Sequence, residues 1–247
     1  MRSTPLKVGL LGYGYAGKTF HAPLIAAVPD LRLAAVASSD PAKVHADWPE
    51  VTVHATPAEL IARDDLDLVV VATPNDTHHP LARAALLAGR HVVVDKPFTV
   101  ALADARELVE LARRQGRVLS VFHNRRWDGD FLTLRRLVAD GGLGRVVEMS
   151  SHHDRFRPEV RQRWRESAGP GAGLWFDLGP HLLDQALQLF GRPRAITLAR
   201  DRVRDGALAD DWFHAHLRYE RLHVHLHAGM LVAAGAPRFA VHGTAGG

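Results

Sequence analysis

Through residue 122 the chain alternates short continuous apolar runs with longer stretches whose apolar positions recur at helical spacing. The runs at 7–11, 31–37, 68–72, 91–94 and 118–122 read as strands, and the stretches at 80–88 and 102–115 as helices. Val-rich runs without polar alternation are strands buried on both faces, which is the mark of a parallel sheet. Right-handed crossovers then wind the helices onto both faces. The expectation is an α/β Rossmann domain over residues 1–122.

The pattern changes after Asn124. A helix is expected over 130–140, then strands at 145–151, 196–203, 212–219, 222–228 and 238–242, interrupted by one strong helix at 177–190. This predicts, over residues 123–247, an α+β domain with a mostly antiparallel sheet and a helix on one face. In that helix Asp177 reads as the N-cap, Pro180 falls in the first turn, and Leu182, Leu183, Ala186, Leu187 and Phe190 form the apolar stripe. The last strand runs into a glycine-rich turn and the chain stops, so the domain is expected to be incomplete. Alternation within 212–228 leaves one sheet face in need of cover, and a homo-oligomer packed through this sheet is expected.

The 247 residues, 47% hydrophobic, suffice for real cores. No apolar run is long enough to span a membrane, no signal peptide is visible, and the chain has no cysteine, which excludes disulfides and thiolate metal sites. A cytoplasmic protein fits these features. The net charge of +4 is modest. Arg155, Arg157, Arg161, Arg163 and Arg165 cluster, as a solvated face, an anion contact or a subunit contact. No recognition motif accompanies the charge, so nucleic acid is not an expected partner.

Gly12-x-Gly14-x-x-Gly17 follows the first strand and opens a helix, where a dinucleotide fingerprint belongs. Gly12 permits the turn, Gly14 lets backbone approach a pyrophosphate, and Gly17 lets helix and strand pack. Tyr15 lies in the same loop. Gly12, Gly17, Lys18 and Thr19 also match a phosphate loop. That reading fails on Pro23, which would cost a regular helix about 3 kcal/mol; a helix that breaks and restarts there suits a dinucleotide fold. At the end of the second strand stand Ser38, Ser39 and Asp40, with Lys43 close by. Hydroxyls and a cation accommodate a 2′-phosphate, whereas a carboxylate would take a ribose diol, so the preferred cofactor is NADP and the alternative NAD.

Asp177, His181 and Asp184 share one helix face. His181 suits a general base that Asp177 orients. Lys96 follows the fourth strand run, at the end where ligands of such sheets sit, and can stabilise an alkoxide. His214 and His216 alternate on one strand, and His223, His225 and His227 on the next. Three imidazoles in a row could bind zinc, but no carboxylate pattern completes a site, so no metal is expected and the stripe reads as a wet or interfacial face.

Gly12-x-Gly14-x-x-Gly17, Thr73-Pro74-Asn75-Asp76-Thr77-His78, Asp95-Lys96-Pro97 and Asp177-x-Gly179-x-His181-x-x-Asp184 together resemble the Gfo/Idh/MocA oxidoreductases over essentially the whole chain. Phe20-His-Ala-Pro-Leu, Asn124-Arg-Arg-Trp-Asp and Asp154-Arg-Phe-Arg-Pro point within it to the NADP-dependent scyllo-inositol dehydrogenase branch. Asp95 stands where the family usually has Glu. The resemblance implies Lys96, Asp177 and His181 as the catalytic set. It places Thr73, Pro74, Asn75 and His78 near the nicotinamide half of the cofactor, and Asn124, Arg126 and Trp164 on the substrate side. The expected activity is NAD(P)-dependent oxidation of a CH–OH group, moving hydride between nicotinamide and a ring hydroxyl or ketone of a polyol or sugar. Family members commonly run longer, so a C-terminal truncation is expected. The rival readings are a non-catalytic NADP-binding sensor and an inactive truncated fragment.

Overall fold

The structure is a computed structural model that describes residues 4–247. Two units divide the chain, one through Phe122 and one from His123.

In the first unit the strands are β1 (Leu6–Leu11), β2 (Leu31–Ala37), β3 (Thr52–His54), β4 (Leu68–Val71), β5 (His91–Asp95) and β6 (Leu119–Phe122). They form one six-stranded sheet in the order β3-β2-β1-β4-β5-β6, with every pair parallel. The order reverses between β1 and β4, and a ligand crevice opens at such a point, beyond the carboxyl ends of the strands. Helices α1 (Ala22–Ala27), α2 (Pro41–His45), α3 (Pro57–Ile61), α4 (His78–Leu87) and α5 (Leu102–Arg114) connect the strands. Two apolar layers result. Leu60, Leu86, Leu108 and Leu111 pack with Val69, Val71, Val92 and Val94 in one, and Ile25 and Val44 with Val8, Leu10 and Val36 in the other. The Val-rich strands are therefore covered on both faces. The short β3 was not foreseen, because three residues carry too little periodicity to register.

Pro23 does not break its helix. Residues Gly17–His21 form a π-helical turn that continues directly into α1, and the Ala22 N–H donates to the Gly17 carbonyl. The widened turn carries the carbonyls past the proline ring, so the expected interruption is replaced by a bulge.

In the second unit α6 (Gly129–Ala139) and α7 (Leu174–Phe190) accompany β7 (Val146–His152), β8 (Ala195–Asp201), β9 (Trp212–Arg218), β10 (His223–Gly229) and β11 (Phe239–Gly243). The sheet order is β11-β7-β10-β9-β8, antiparallel except for the β7–β10 pair. Its inner face packs Met149, Phe213, Leu217, Val224 and Leu226 against Leu174, Leu178 and Leu182 of α7. The helix stripe thus begins earlier than the pattern suggested, and Leu187, expected in it, is exposed.

Candidate functional site

The glycine loop of the first unit is shaped by contacts that no side chain could share. Gly12 has φ +93°, and a Cβ there would lie 2.6 Å from the Ala72 carbonyl oxygen. A Cβ on Gly17 would overlap the Gly12 carbonyl, which keeps the helix start tight against β1. Gly14 has nothing within 4 Å of its missing Cβ, so its backbone faces open space. That space is a cavity of about 440 Å³ lined by Gly12, Tyr13, Gly14, Ser38, Ser39, Asp40, Lys43 and Thr73. Tyr15 is exposed beside it, edge-on to Phe20. Lys18 is held by Asp47 at 2.7 Å, and the Tyr13 hydroxyl donates to the same carboxylate at 2.8 Å. Burial and that hydrogen bond push Tyr13 up to about 12. Lys18 is thereby engaged away from a phosphate, against the phosphate-loop reading.

At the end of β2 the Asp40 carboxylate caps α2, accepting the Lys43 N–H at 3.0 Å. The Asp40 N–H donates to the Ser38 hydroxyl at 3.1 Å. One carboxylate oxygen is thus occupied, and Asp40 lines the cavity together with Ser38, Ser39 and Lys43. The residue set fits a dinucleotide: an open glycine backbone at the sheet's reversal point, with hydroxyls and a cation at its far end.

Lys96 directly follows β5, and its N–H donates to the Asp95 carboxylate at 2.7 Å. Burial alone would push the Asp95 carboxyl up, but His21 at 3.6 Å and the Lys96 N–H and ammonium hold it below its usual range. His78 is 1% exposed and spans two carbonyls, Thr73 at 2.9 Å and Pro97 at 2.8 Å. It therefore ties the Thr73-Pro74-Asn75 loop to the turn that carries Lys96, a positioning place rather than an open ligand contact. Thr73 accepts a hydrogen bond from Thr77 at 2.7 Å, and Asn75 is buried.

In the second unit α7 starts at Leu174, not at Asp177. Gly173, at φ +94°, is its N-cap, and the first two free N–H groups reach a distant residue. Leu174 N donates to the Asp210 carbonyl at 2.7 Å and Trp175 N to the Asp210 carboxylate at 2.8 Å. Asp177 is therefore not the cap, and Pro180 lies inside the helix beyond the first turn. The reason is nonlocal: the capping group comes from the loop before β9. Asp177 faces Arg165 at 3.5 Å. His181 and Asp184 are buried on the same side. Asp184 accepts both arms of Arg126, at 2.7 and 2.6 Å, so the Arg126 guanidinium is committed to an ion pair. His153 belongs to this region as well. Burial first, then the charges of Arg238, Arg125 and Arg155, lower it to about 4, with Asp177 opposing. Asn124 opens a short 3-10 turn, and Trp164 is stacked by Arg165 with the guanidinium 4.5 Å from the ring.

The arginine cluster divides. Arg163 pairs with Glu166 at 2.7 Å and Arg165 with Asp177, while Arg161 is exposed. The buried cation nearby is one that sequence reasoning missed. Arg204 joins Asp211 at 2.7 Å, Glu166 at 3.0 Å and the Glu159 carbonyl at 2.9 Å. Asp210, His21 and Arg204 carried no local signal, because their partners lie far away in sequence.

A parallel sheet with a glycine-lined cavity at its reversal point, followed by a mixed-sheet unit packed on one long helix, is the architecture of a dinucleotide-binding oxidoreductase. Residues 6–123 match the oxidoreductase family with an NAD-binding Rossmann fold, and residues 131–247 match the GFO/IDH/MocA C-terminal domain. The chain belongs to the Gfo/Idh/MocA oxidoreductase family. It is 60% identical over 244 residues to the uncharacterized oxidoreductase YdgJ of Escherichia coli, covering 99% of this chain and 70% of that protein. It is 39% identical over 238 residues to scyllo-inositol 2-dehydrogenase (NADP(+)) IolW of Bacillus subtilis, covering 96% of this chain and 66% of the relative. The crystal structure of GenD2 from gentamicin A biosynthesis in complex with NAD superposes with a TM-score of 0.88 at 27% identity, over 98% of this chain and 71% of that one. The family matches extend to residue 247, and the chain spans 70% of the length of YdgJ and 66% of that of IolW. Among the described residues no helix is long and apolar enough to cross a membrane.

Proposed function

We propose that the protein is an NADP-preferring dehydrogenase acting on a ring hydroxyl or ketone of a polyol or sugar, inositol-like in kind. One observation carries this reading: the first unit holds an open cavity lined by the glycine loop, Ser38, Ser39 and Lys43, and the same chain carries Lys96, Asp177 and His181, the residue types an acid–base dehydrogenase needs. Gly12, Gly14, Tyr15 and Gly17 would hold the pyrophosphate region, Ser38, Ser39 and Lys43 the adenosine ribose with its 2′-phosphate, and Thr73, Pro74 and Asn75 the nicotinamide half. The bound nicotinamide supplies the hydride acceptor in oxidation and the donor in reduction. As the substrate carbon gives up hydride, His181 takes the hydroxyl proton. Asp177 orients the imidazole and stabilises its protonated form, and the Lys96 ammonium stabilises the developing alkoxide. Asn124, Arg126 and Trp164 are assigned to the substrate side, Arg126 through Asp184.

The NADP preference is supported by Lys43 and two serines in the cavity lining, where the Asp40 carboxylate, also in the lining, is engaged in capping α2. It agrees with the NADP of the name of IolW and differs from the NAD bound to GenD2. Calorimetric titration with both cofactors checks it, and tighter binding of NAD would make Asp40 the ribose ligand. Turnover is read with a panel of inositols and aldoses. Lys96→Ala, Asp177→Ala and His181→Ala are each expected to lower kcat by about 100-fold or more, with the cofactor Kd little changed. Wild-type rates in His181→Ala would overturn the assignment. Cofactor binding with no turnover on any substrate would favour the sensor reading.

A further inference from the structure

We propose that His152, Asp154 and His227 form a binding site for one divalent transition-metal ion, zinc in its ordinary chemistry. His152 ends β7 and His227 lies near the end of β10, and these two strands pair in parallel with His227 opposite His152. Asp154 follows two residues beyond His152. One ligand atom from each of the three side chains lies within 4.8 Å of the other two. The Asp154 carboxylate meets His227 Nδ1 at 2.8 Å and His152 Nδ1 at 3.2 Å. Ligands about 2.1 Å from a tetrahedral zinc ion stand roughly 3.4 Å apart, so small side-chain shifts would complete the site.

Three features separate this group from the rest of the imidazole stripe. First, a carboxylate is present. Among the described residues this is the group of three such side chains whose ligand atoms come so close. His214 and His225, 3.3 Å apart, and His216 and His223, 2.9 Å apart, instead pair imidazole with imidazole. Second, the Asp154 side chain is only 5% exposed, and its ion-pair partners among the described residues are the two imidazoles. A buried carboxylate is costly without a full positive charge beside it, and a divalent ion supplies one. Third, the imidazoles remain 26% and 18% exposed, which leaves an entry path. Two histidines and one carboxylate with an open fourth position are a donor set that suits zinc and neighbouring divalent metals.

The ion would act as a pin. The His153 N–H donates to the His227 carbonyl and the Arg155 N–H to the Gly229 carbonyl, both at 2.9 Å, so the metal would lock the strand ends from which His153 and Arg155 project. The rival is a purely structural clasp in which Asp154 accepts two imidazole N–H groups and binds no metal.

The test uses untagged full-length protein stripped with chelator and titrated calorimetrically with Zn²⁺ near neutral pH. The expected result is saturation at one ion per chain and a raised thermal midpoint. His227→Gln and Asp154→Asn are each expected to weaken binding by more than about tenfold, the loss that even an outer partner of a metal ligand produces. His223→Ala, farther along the same strand, should leave binding unchanged. Trp212 meets His227 edge-on at 5.6 Å, so Cu²⁺ should quench a fluorescence component that is absent in Trp212→Phe. Should Asp154→Asn not fold, His152→Gln carries the same expectation. No saturable binding near one ion per chain, or binding untouched by His227→Gln, would overturn the proposal.

Discussion

At the scale of single residues, His153 is a base kept neutral among cations. Its folded value of about 4 lies below the ordinary 6.5, from burial first and then from Arg238, Arg125 and Arg155. Between those values the unfolded chain takes up a proton that the folded chain refuses. This contribution to stability is therefore complete above pH 6.5 and is lost as pH falls through the window toward 4. Denaturant midpoints at neutral pH and in mild acid should differ clearly in the wild type and less in His153→Gln; equal slopes in both would refute the attribution. The glycine loop gives a second test. Gly12→Ala forces a side chain to φ +93° and into the Ala72 carbonyl, so it should destabilise by about 1–2 kcal/mol. Gly14→Ala meets nothing within 4 Å and should melt like the wild type. Its Cβ would instead intrude on the cofactor, so a calorimetric loss of NADP binding with stability intact is the expected signature. Undiminished binding would remove Gly14 from the site.

Among the elements, α7 shows what reading a sequence can and cannot reach. Its existence, its end at Phe190 and the shared face of Asp177, His181 and Asp184 follow from local periodicity. Its start does not. An Asp just ahead of a proline is a good local cap signal, but the groups that satisfy the first turn belong to Asp210, thirty-odd residues later. Asp210→Ala should cost about 1–2 kcal/mol, the ordinary worth of a cap, and Asp210→Asn should recover most of it. Urea denaturation decides this, and a neutral Asp210→Ala would mean that solvent caps the helix equally well. The same division runs through the site. The places of Gly12, Gly14 and Gly17 in the turn after β1, and of Lys96 just past β5, were legible because turn and strand-end patterns are local. His21 beside Asp95, Arg204 across Asp211 and Glu166, and Asp154 between two imidazoles are made by chain segments that only the fold brings together. The period-2 histidines were visible as a stripe, but the carboxylate beside His227 was not, because it follows β7, which only the sheet brings against β10.

For the molecule as a whole, the two units answer to different solution variables. The dinucleotide cavity is lined by residues of the first unit alone. The imidazoles shifted down belong to the second: His153, His214 and His216, the last two through burial first and then their imidazole neighbours. Acidification therefore draws protons onto the unfolded form of the second unit and weakens it. NADP at a hundredfold excess over its Kd stabilises only what binds it, by about 2.7 kcal/mol. At about pH 5.5, inside the window where such histidines differ between states, saturating NADP should split thermal unfolding into two transitions. Four of the five tryptophans, Trp127, Trp164, Trp175 and Trp212, lie beyond residue 122, so intrinsic fluorescence should follow the lower transition, with circular dichroism reporting both. At neutral pH without cofactor the two probes should coincide more closely. A single transition at pH 5.5 with NADP, seen identically by both probes, would show that the two cores unfold as one cooperative body and that their separate sensitivities do not uncouple them.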